Sequence, residues 1–190
     1  MNYQLYKKAR NKMLFKSLVF IFLILLIACF STYKIYYKFE STRDKISSSP
    51  DLTVTYHGKQ GENVKITKVT PVTDAVGLSS NAYKVTIKNN TGTKVKYKVV
   101  LKEDKEAYQK DLCSDNKIPD NIIKVGIHTS GEVSKIYNLD DLENNVLDIG
   151  TVAPQSEENY TIRVWISKSA LVFDDNNMHY HGIISVEEVE

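Results

Sequence analysis

Two histidines near the end of the chain, His179 and His181, have the spacing that comes closest to a metal site. Alternate residues of a β-strand project to the same side, so both imidazoles would lie on one face of a strand. Asp174 and Asp175 precede them and would add carboxylate oxygens, which Ca²⁺ prefers. These four residues are the candidate metal ligands of the sequence.

The neighbouring residues favour a simpler interpretation of the histidine pair. Tyr180, Ile184 and Val186 would occupy the opposite, apolar face of the same strand, which directs His179 and His181 toward solvent. The acidic segment has the composition of an Asx-rich turn and lacks the ligand spacing of an EF-hand loop. We therefore predict no metal and no other cofactor.

Five lysines form a second candidate site. They alternate with other residues on both sides of the turn sequence Asn89–Gly92, and they are Lys84, Lys88, Lys94, Lys96 and Lys98. Two alternating runs joined by such a turn predict a β-hairpin whose outward face carries the lysines as one positive patch. That patch would suit an anionic cell-wall polymer, lipid headgroups or an acidic protein. No aromatic residue interleaves with the lysines, so nucleic acid is not an expected partner.

Trp165 is the single tryptophan, and it alternates out of phase with Tyr160, Ile162, Val164 and Ile166. The favoured expectation is that its indole packs beneath a loop. The alternative is an exposed side chain that recognises a ligand, which would add Trp165 to the lysine patch as a binding residue.

Catalytic sequence motifs are absent. The chain contains no GxxxxGK[ST], GxGxxG, GxSxG, HExxH or CxxC motif. We therefore predict a protein that is not an enzyme, with a metalloprotease based on His179 and His181 as the alternative.

Short alternating runs recur from residue 52 to the end of the chain, and turn residues separate them. The clearest runs cover residues 52–56, 83–87, 95–101, 123–127, 146–152 and 160–166. Only residues 105–112 and 139–142 indicate short helical segments. Eight or nine short strands predict an all-β fold, an antiparallel β-sandwich of immunoglobulin-like or jelly-roll type with one N-terminal transmembrane helix.

The apolar block Leu18–Phe30 determines the predicted location. With its flanks, residues 13–33 would form a helix of about 31 Å, which is long enough to cross a bilayer. Five basic and no acidic residues precede the block, so we predict a cytoplasmic N-terminus. The expected organisation is a single-pass protein of the cell membrane. It comprises a cytoplasmic basic tail (1–12), a transmembrane helix or signal anchor (13–37), a tether (38–50) and an extracytoplasmic β-sandwich (51–190).

Two other fates of the block stay open. A cleaved signal is disfavoured because no Ala-x-Ala-like site follows the apolar run. Leu26–Cys29 (LIAC) resembles the bacterial lipobox, in which Cys29 would be lipidated. The aromatic and basic segment that follows is typical of a helix leaving a bilayer, and it favours a retained anchor.

Charge is divided along the chain. Residues 1–102 carry 18 basic and five acidic side chains, whereas residues 103–190 carry seven basic and 18 acidic side chains. If the strands of the two halves interleave, these charges cancel. If they do not, the basic half of one copy could meet the acidic half of another.

Asn81–Leu101 has the order strand, N-N-x-G turn, strand, and Leu147–Ser167 combines a G-T-V-A-P segment with a strand that reads Y-T-I-R-V-W-I. These two segments resemble the paired signatures of anchored or secreted β-sandwich surface proteins of low-GC Gram-positive bacteria, of the TasA and camelysin-like kind. The resemblance implies a jelly-roll fold and a role in extracellular matrix fibres. Those proteins carry a cleavable signal, which we do not expect in this chain.

We therefore predict a membrane-anchored binding or structural protein of the bacterial cell surface, acting in adhesion, matrix or envelope assembly. The expected partners are the membrane, through residues 13–37, a protein partner or second copy, and an anionic cell-wall polymer. Three alternatives stay open: a lipoprotein lipidated at Cys29 with the same sandwich, a camelysin-like metalloprotease, and an accessory subunit of a secretion or envelope complex.

Overall fold

The computed structural model describes residues 3–40, 44–111, 116–129, 134–169 and 178–189. The chain divides into two compact units, Met1–Arg43 and Asp44–Glu190. Cys113 and the candidate ligands Asp174 and Asp175 lie outside the described residues.

The first unit contains one helix, α1 (Tyr3–Glu40). Within it, Lys12–Lys34 is long and apolar enough to cross a membrane by length and composition. Its apolar side chains are exposed around the whole circumference, which is typical of a helix suited to an apolar solvent. The hydroxyl of Ser31 donates to the Ile27 carbonyl at 2.8 Å, so this polar group is satisfied within the helix.

The second unit is built of short strands. Its elements are β1 (Lys45–Ser48), β2 (Leu52–His57), β3 (Asn63–Ile66), β4 (Pro71–Val72), α2 (Asp74–Gly77), β5 (Tyr83–Asn89), β6 (Val95–Glu103), α3 (Lys105–Lys110), β7 (Ile123–Thr129), β8 (Lys135–Asn138), β9 (Val146–Val152), β10 (Glu157–Ser167) and β11 (Tyr180–Glu188). Strand β1 lies inside residues 38–50, which the sequence assigns to the tether. There the backbone of this polar segment pairs with β2, although its side chains stay exposed.

The strands form two sheets. Sheet A has the order β1-β2-β5-β10-β7-β8, with β4 added parallel to one end of β10. Sheet B has the order β3-β11-β6-β9. All pairs other than β4–β10 are antiparallel. The predicted all-β, mostly antiparallel architecture with one N-terminal apolar helix is therefore confirmed.

Successive strands alternate between the sheets. If the short strands β1, β4 and β8 are set aside, the order along the chain is A, B, A, B, A, B, A, B. Each connection between these eight strands thus passes from one sheet to the other. Residues that are neighbours in a sheet are consequently distant in sequence.

The predicted hairpin between β5 and β6 is therefore wrong. The reason lies in Asn89, which is fully buried where β5 ends. Its side-chain amide donates to the carbonyls of Thr93 at 2.7 Å and Val152 at 3.1 Å, and its Oδ1 accepts the backbone N–H of Thr91 at 2.8 Å. These bonds form an Asx-type turn tied to the end of β9. The chain consequently leaves sheet A and enters sheet B.

One hydrophobic core fills the space between the sheets. Sheet A contributes Val85 and Ile87, and sheet B contributes Val99 and Ile184, all almost inaccessible to solvent. Inward residues recur at every second position of these strands, so the alternating sequence pattern corresponds to the core face.

Two tyrosines join the sheets through a polar contact inside this core. Tyr97 of β6 and Tyr160 of β10 lie edge to face, with ring centroids 6.1 Å apart and hydroxyl oxygens 2.9 Å apart. Tyr160 then donates to Asp148 Oδ2 at 3.0 Å. Burial raises the pKa of both phenols above the usual range, so both remain neutral donors at physiological pH.

Gly150 makes the close approach of this tyrosine pair feasible. A Cβ at this position would lie 2.5 Å from the Tyr97 hydroxyl oxygen and 3.1 Å from that of Tyr160. We predict that Gly150→Ala lowers the free energy of unfolding by about 1–3 kcal/mol, because the tyrosines must move apart. Urea denaturation of the full-length chain in detergent measures this change.

Gly92→Ala is the matched control, since a Cβ at Gly92 would meet no heavy atom within 4 Å. Equal stability of the two alanine variants would show that the tyrosine contact does not require Gly150.

Candidate functional site

A cleft of about 770 Å³ lies on sheet B beside α3. Its walls come from β3, β11 and α3, and the residues that matter most for its chemistry are Glu62, Lys65, Asp111 and His181. The sequence brings these groups together because β3 pairs with β11, which places Lys65 directly opposite His181.

His181 does not face solvent, so the predicted exposure is wrong for this residue. It lies on the outward face of β11, as the alternation indicates, but α3 covers it and leaves it 3% exposed. The Tyr108 ring packs edge to face on the imidazole at a centroid distance of 4.8 Å. The Tyr108 hydroxyl also accepts the backbone N–H of His181 at 3.1 Å.

The helix that covers His181 begins at a side-chain cap. Asp104 accepts the backbone N–H of Ala107 at 2.9 Å, and its own N–H donates to the His181 carbonyl at 3.0 Å. The cap therefore starts α3 and attaches it to β11 at the same point. This contact explains how a short, charged helix holds its place on the sheet.

Electrostatics around His181 favour the neutral imidazole. Burial lowers the pKa of His181, and the Lys65 ammonium lowers it further, although the Asp111 carboxylate acts in the opposite direction. Asp111 Oδ2 lies 3.6 Å from His181 Nε2 and forms an ion pair with Lys65 at 2.5 Å. The Lys65 hydrogen bond lowers the pKa of Asp111, which stays ionised.

The two histidines of the candidate metal site lie near each other. The ring centroids of His179 and His181 are 6.0 Å apart. Within the described parts of the chain, no group of three His, Cys, Asp or Glu side chains is placed to hold a metal ion.

The candidate lysine patch is divided between the sheets. Lys84 and Lys88 lie on the outward face of β5 in sheet A, whereas Lys96 and Lys98 lie on β6 in sheet B. Lys94 belongs to the connection between these strands. A single continuous patch is therefore wrong, since it depended on the β5–β6 hairpin.

Charges from the two halves of the chain interleave on sheet B. Lys98 and Lys102 of β6 both pair with Glu187 of β11, and Lys98 lies 3.0 Å from its carboxylate. The hydrogen bonds from Lys102 and Lys98 lower the pKa of Glu187. The opposite charges that are separated in sequence therefore offset each other on neighbouring strands.

Trp165 is buried, with 4% of its surface exposed. The indole lies beneath α2, and a Cβ at Gly77 would come within 2.3 Å of its ring. The favoured expectation of packing beneath a connection therefore holds, and the alternative of an exposed recognition side chain is wrong. The helix α2 is held there partly by an ion pair between Asp74 and Lys124 at 2.9 Å.

A chain of polar contacts on the outward face of sheet A was not anticipated from the sequence. Asp44 Oδ2 lies 2.9 Å from His57 Nδ1, and His57 Nε2 lies 2.8 Å from Thr86 Oγ1. Thr86 Oγ1 in turn contacts Asn159 Oδ1 at 2.6 Å. We call these four residues the polar relay. Their sequence spacing carries no signal, because each comes from a different segment of the chain.

Comparisons with known proteins add no relative, since no protein-family model, curated protein or solved structure matches this chain.

The burial of His181 predicts a pH dependence of stability. Because its pKa is lower in the folded state than the ordinary value of 6.5, the unfolded chain binds the proton more readily. The His181 contribution to stability is therefore complete above that value and declines as the pH falls below it. Urea denaturation at pH 7.5 and 5.5 should show the loss in the native chain and a smaller loss in His181→Gln.

His128→Gln serves as a control, because it removes a histidine of sheet A and leaves His181 beneath α3. It should retain the pH dependence. An unchanged pH dependence in His181→Gln would contradict the assignment to His181.

Proposed function

We propose that this chain is a membrane-anchored binding or structural protein of the bacterial cell surface. The observation that carries the proposal is the combination of an apolar helix with a separate, compact β unit that has its own core. In the proposal the helix crosses the cell membrane with the N-terminus in the cytoplasm, and the β unit lies outside the cell. The β unit belongs to the sandwich class, with immunoglobulin-like and jelly-roll forms as the two candidates.

Two features support this location. Basic residues dominate the segment before the apolar stretch, which favours a cytoplasmic N-terminus. The β unit has a hydrophobic core between its two sheets, and its described residues form no disulfide. A domain of about 150 residues is large enough to be stable on such a core alone. A role in adhesion, matrix or envelope assembly follows from the resemblance to TasA and camelysin-like proteins, and it remains a proposal.

Protease treatment of intact cells tests the orientation. A full-length chain with an epitope tag at each end should lose the C-terminal tag, because the β unit faces the medium, and should keep the N-terminal tag until the cells are permeabilised. Loss of only the N-terminal tag, or protection of both tags in intact cells, would contradict the proposed orientation.

Cys29→Ser separates the retained helix from a lipid anchor. We expect the variant to stay in the membrane fraction with an unprocessed N-terminus, because the apolar helix alone provides the anchor. Ala28→Ser is a control of similar size beside it. Release of the Cys29 variant into the soluble fraction, with the control retained, would support the lipoprotein instead.

We further propose that the β unit binds an anionic wall polymer through the outward face of sheet A. Lys84 and Lys88 project from this face and form no ion pair with a described residue. They share the face with the hydroxyl groups of Thr53 and Thr55, and Lys88 is paired in register with Glu157 of β10. On sheet B, by contrast, Glu187 offsets the charge of two lysines.

The double variant Lys84→Glu, Lys88→Glu should therefore weaken binding to a purified polyphosphodiester wall polymer by about tenfold at low salt, because it replaces attraction with repulsion. Co-sedimentation measures the affinity. The control variant Lys94→Glu, Lys96→Glu makes the same change in charge in the β5–β6 connection and on sheet B. It should have a small effect on the affinity for the polymer. Equal losses in both double variants would indicate a response to net charge alone.

A further inference from the structure

Four polar side chains lie around one position in the middle of sheet A. Thr161 of β10 is paired in register with Lys84 of β5 on one side and with His128 of β7 on the other. Arg163 follows two residues later on β10 and therefore lies on the same face as Thr161. We call Lys84, His128, Thr161 and Arg163 the Thr161 cluster.

The core fixes the direction in which the cluster points. Val85, Ile127 and Ile162 are buried in the core, and each is the chain neighbour of a cluster residue. Because successive side chains of a strand alternate between its faces, the cluster residues project away from the core. Side chains directly opposite each other have Cβ atoms about 5 Å apart, and diagonal neighbours are about 7–8 Å apart. All four side chains can therefore reach one group of a ligand.

The cluster holds hydrogen-bond donors that the described part of the chain does not use. Lys84 forms no ion pair and the Thr161 hydroxyl no hydrogen bond with a described residue, and neither ring nitrogen of His128 bonds to one. Arg163 Nε donates to the Ser80 carbonyl at 3.1 Å, and the two terminal nitrogens bond to no other described residue. This single bond steadies the guanidinium and leaves its terminal fork for a ligand.

The described carboxylates at the border of the cluster already have partners. Asp44 Oδ2 lies 2.9 Å from Nδ1 of His57, the residue opposite Lys84 on β2. Beyond Arg163, Asp74 pairs with Lys124 at 2.9 Å. Neither carboxylate is paired with a cluster residue, so the positive charge of the cluster is available to an anion.

The two lysines of β5 differ in this respect. Lys88 is paired in register with Glu157, whereas Lys84 is paired with the uncharged Thr161. A carboxylate opposite a lysine offsets part of its charge. An anion on this face should therefore be attracted more strongly to Lys84 than to Lys88.

The chemistry of these donors suits a phosphate group. The fork of an arginine binds two phosphate oxygens at once, and a lysine adds a point charge. A threonine hydroxyl and an imidazole N–H each donate one further hydrogen bond. Donors on three neighbouring strands approach from different directions, as the tetrahedral arrangement of phosphate oxygens requires.

We propose that the Thr161 cluster binds one phosphate group of an anionic polymer. Lys84 and His128 contact the phosphate from the two flanking strands, Arg163 contacts it from one end, and Thr161 lies beneath it. The inference rests on the proposed binding of a wall polymer to sheet A. It assigns that polymer to the phosphate-containing class and assigns the contact to three strands.

Calorimetric titration of the full-length chain in detergent with a synthetic glycerol phosphate oligomer tests the proposal. At low salt, Lys84→Gln and Arg163→Gln should each weaken binding about fivefold, because each removes a charge-assisted hydrogen bond. Thr161→Val keeps the shape of the side chain and should weaken binding about threefold. Thr161→Ser keeps the hydroxyl and should bind as the native chain does.

Two variants outside the cluster control for net charge. Lys88→Gln lies on the same strand and face as Lys84, and Lys96→Gln lies on sheet B. Each removes one positive charge and should weaken binding by less than about twofold. A polyuronate of similar charge density, which carries carboxylates, should likewise lose less than about twofold in the cluster variants.

Side-chain NMR locates the site without any substitution. In a chain with ¹⁵N-labelled arginine and histidine, the oligomer and a single glycerophosphodiester unit should both shift the signals of Arg163 and His128. The signals of His179 and His181, which lie on sheet B, should not move.

The outcomes separate this inference from the proposed function. Equal losses in the cluster variants and the two lysine controls would overturn the Thr161 cluster and leave polymer binding by sheet A in place. Equal losses with the polyuronate would overturn the assignment to phosphate. Binding of the single unit at Arg163 and His128 without binding of the oligomer would keep the phosphate site and contradict the polymer. A native chain that binds neither probe would contradict both.

Discussion

The structure depends on one topological constraint, which is that the principal strands alternate between the two sheets along the chain. Each sheet is completed only by strands from both halves of the sequence. The core between the sheets therefore cannot form from one local segment, and most stabilising contacts are long-range. The Tyr97–Tyr160–Asp148 contact shows this clearly, since it joins β6, β10 and β9 across the core.

The same constraint explains the distribution of charge. The basic first half and the acidic second half of the chain contribute neighbouring strands, so Lys98 and Lys102 meet Glu187 on sheet B. Exposed pairs of this kind contribute little stability individually. Their effect is to remove the charge separation that the sequence suggests. Head-to-tail assembly driven by that separation consequently loses its main support.

Local sequence patterns predict the strands well and their partners poorly. The alternation in residues 83–87 and 160–166 reflects which side chains face the core, and this depends on each strand alone. Pairing depends on the connections. Asn89 appeared to belong to a hairpin turn, but its amide bonds to the end of β9, a contact 63 residues away. No local pattern contains that information.

The predictions for the candidate sites depend in the same way on contacts between distant parts of the chain. Alternation places His181 on the outward face, yet α3 from another part of the chain buries it. Trp165 is also on an outward face and is covered by α2. The polar relay consists of residues with no motif in sequence, and only the strand order β2-β5-β10 brings them into contact. Sites of this kind require the tertiary structure.

Engineered disulfides measure the alternating topology most directly. Lys96 and Thr151 are paired residues on the outward face of sheet B, at a spacing that a disulfide between antiparallel strands can bridge. In a full-length chain with Cys29 and Cys113 replaced by Ser, Lys96→Cys, Thr151→Cys should oxidise intramolecularly. Lys88→Cys, Lys94→Cys, which a β5–β6 hairpin would bring together, should remain reduced. The opposite result would contradict the alternation of strands between the two sheets.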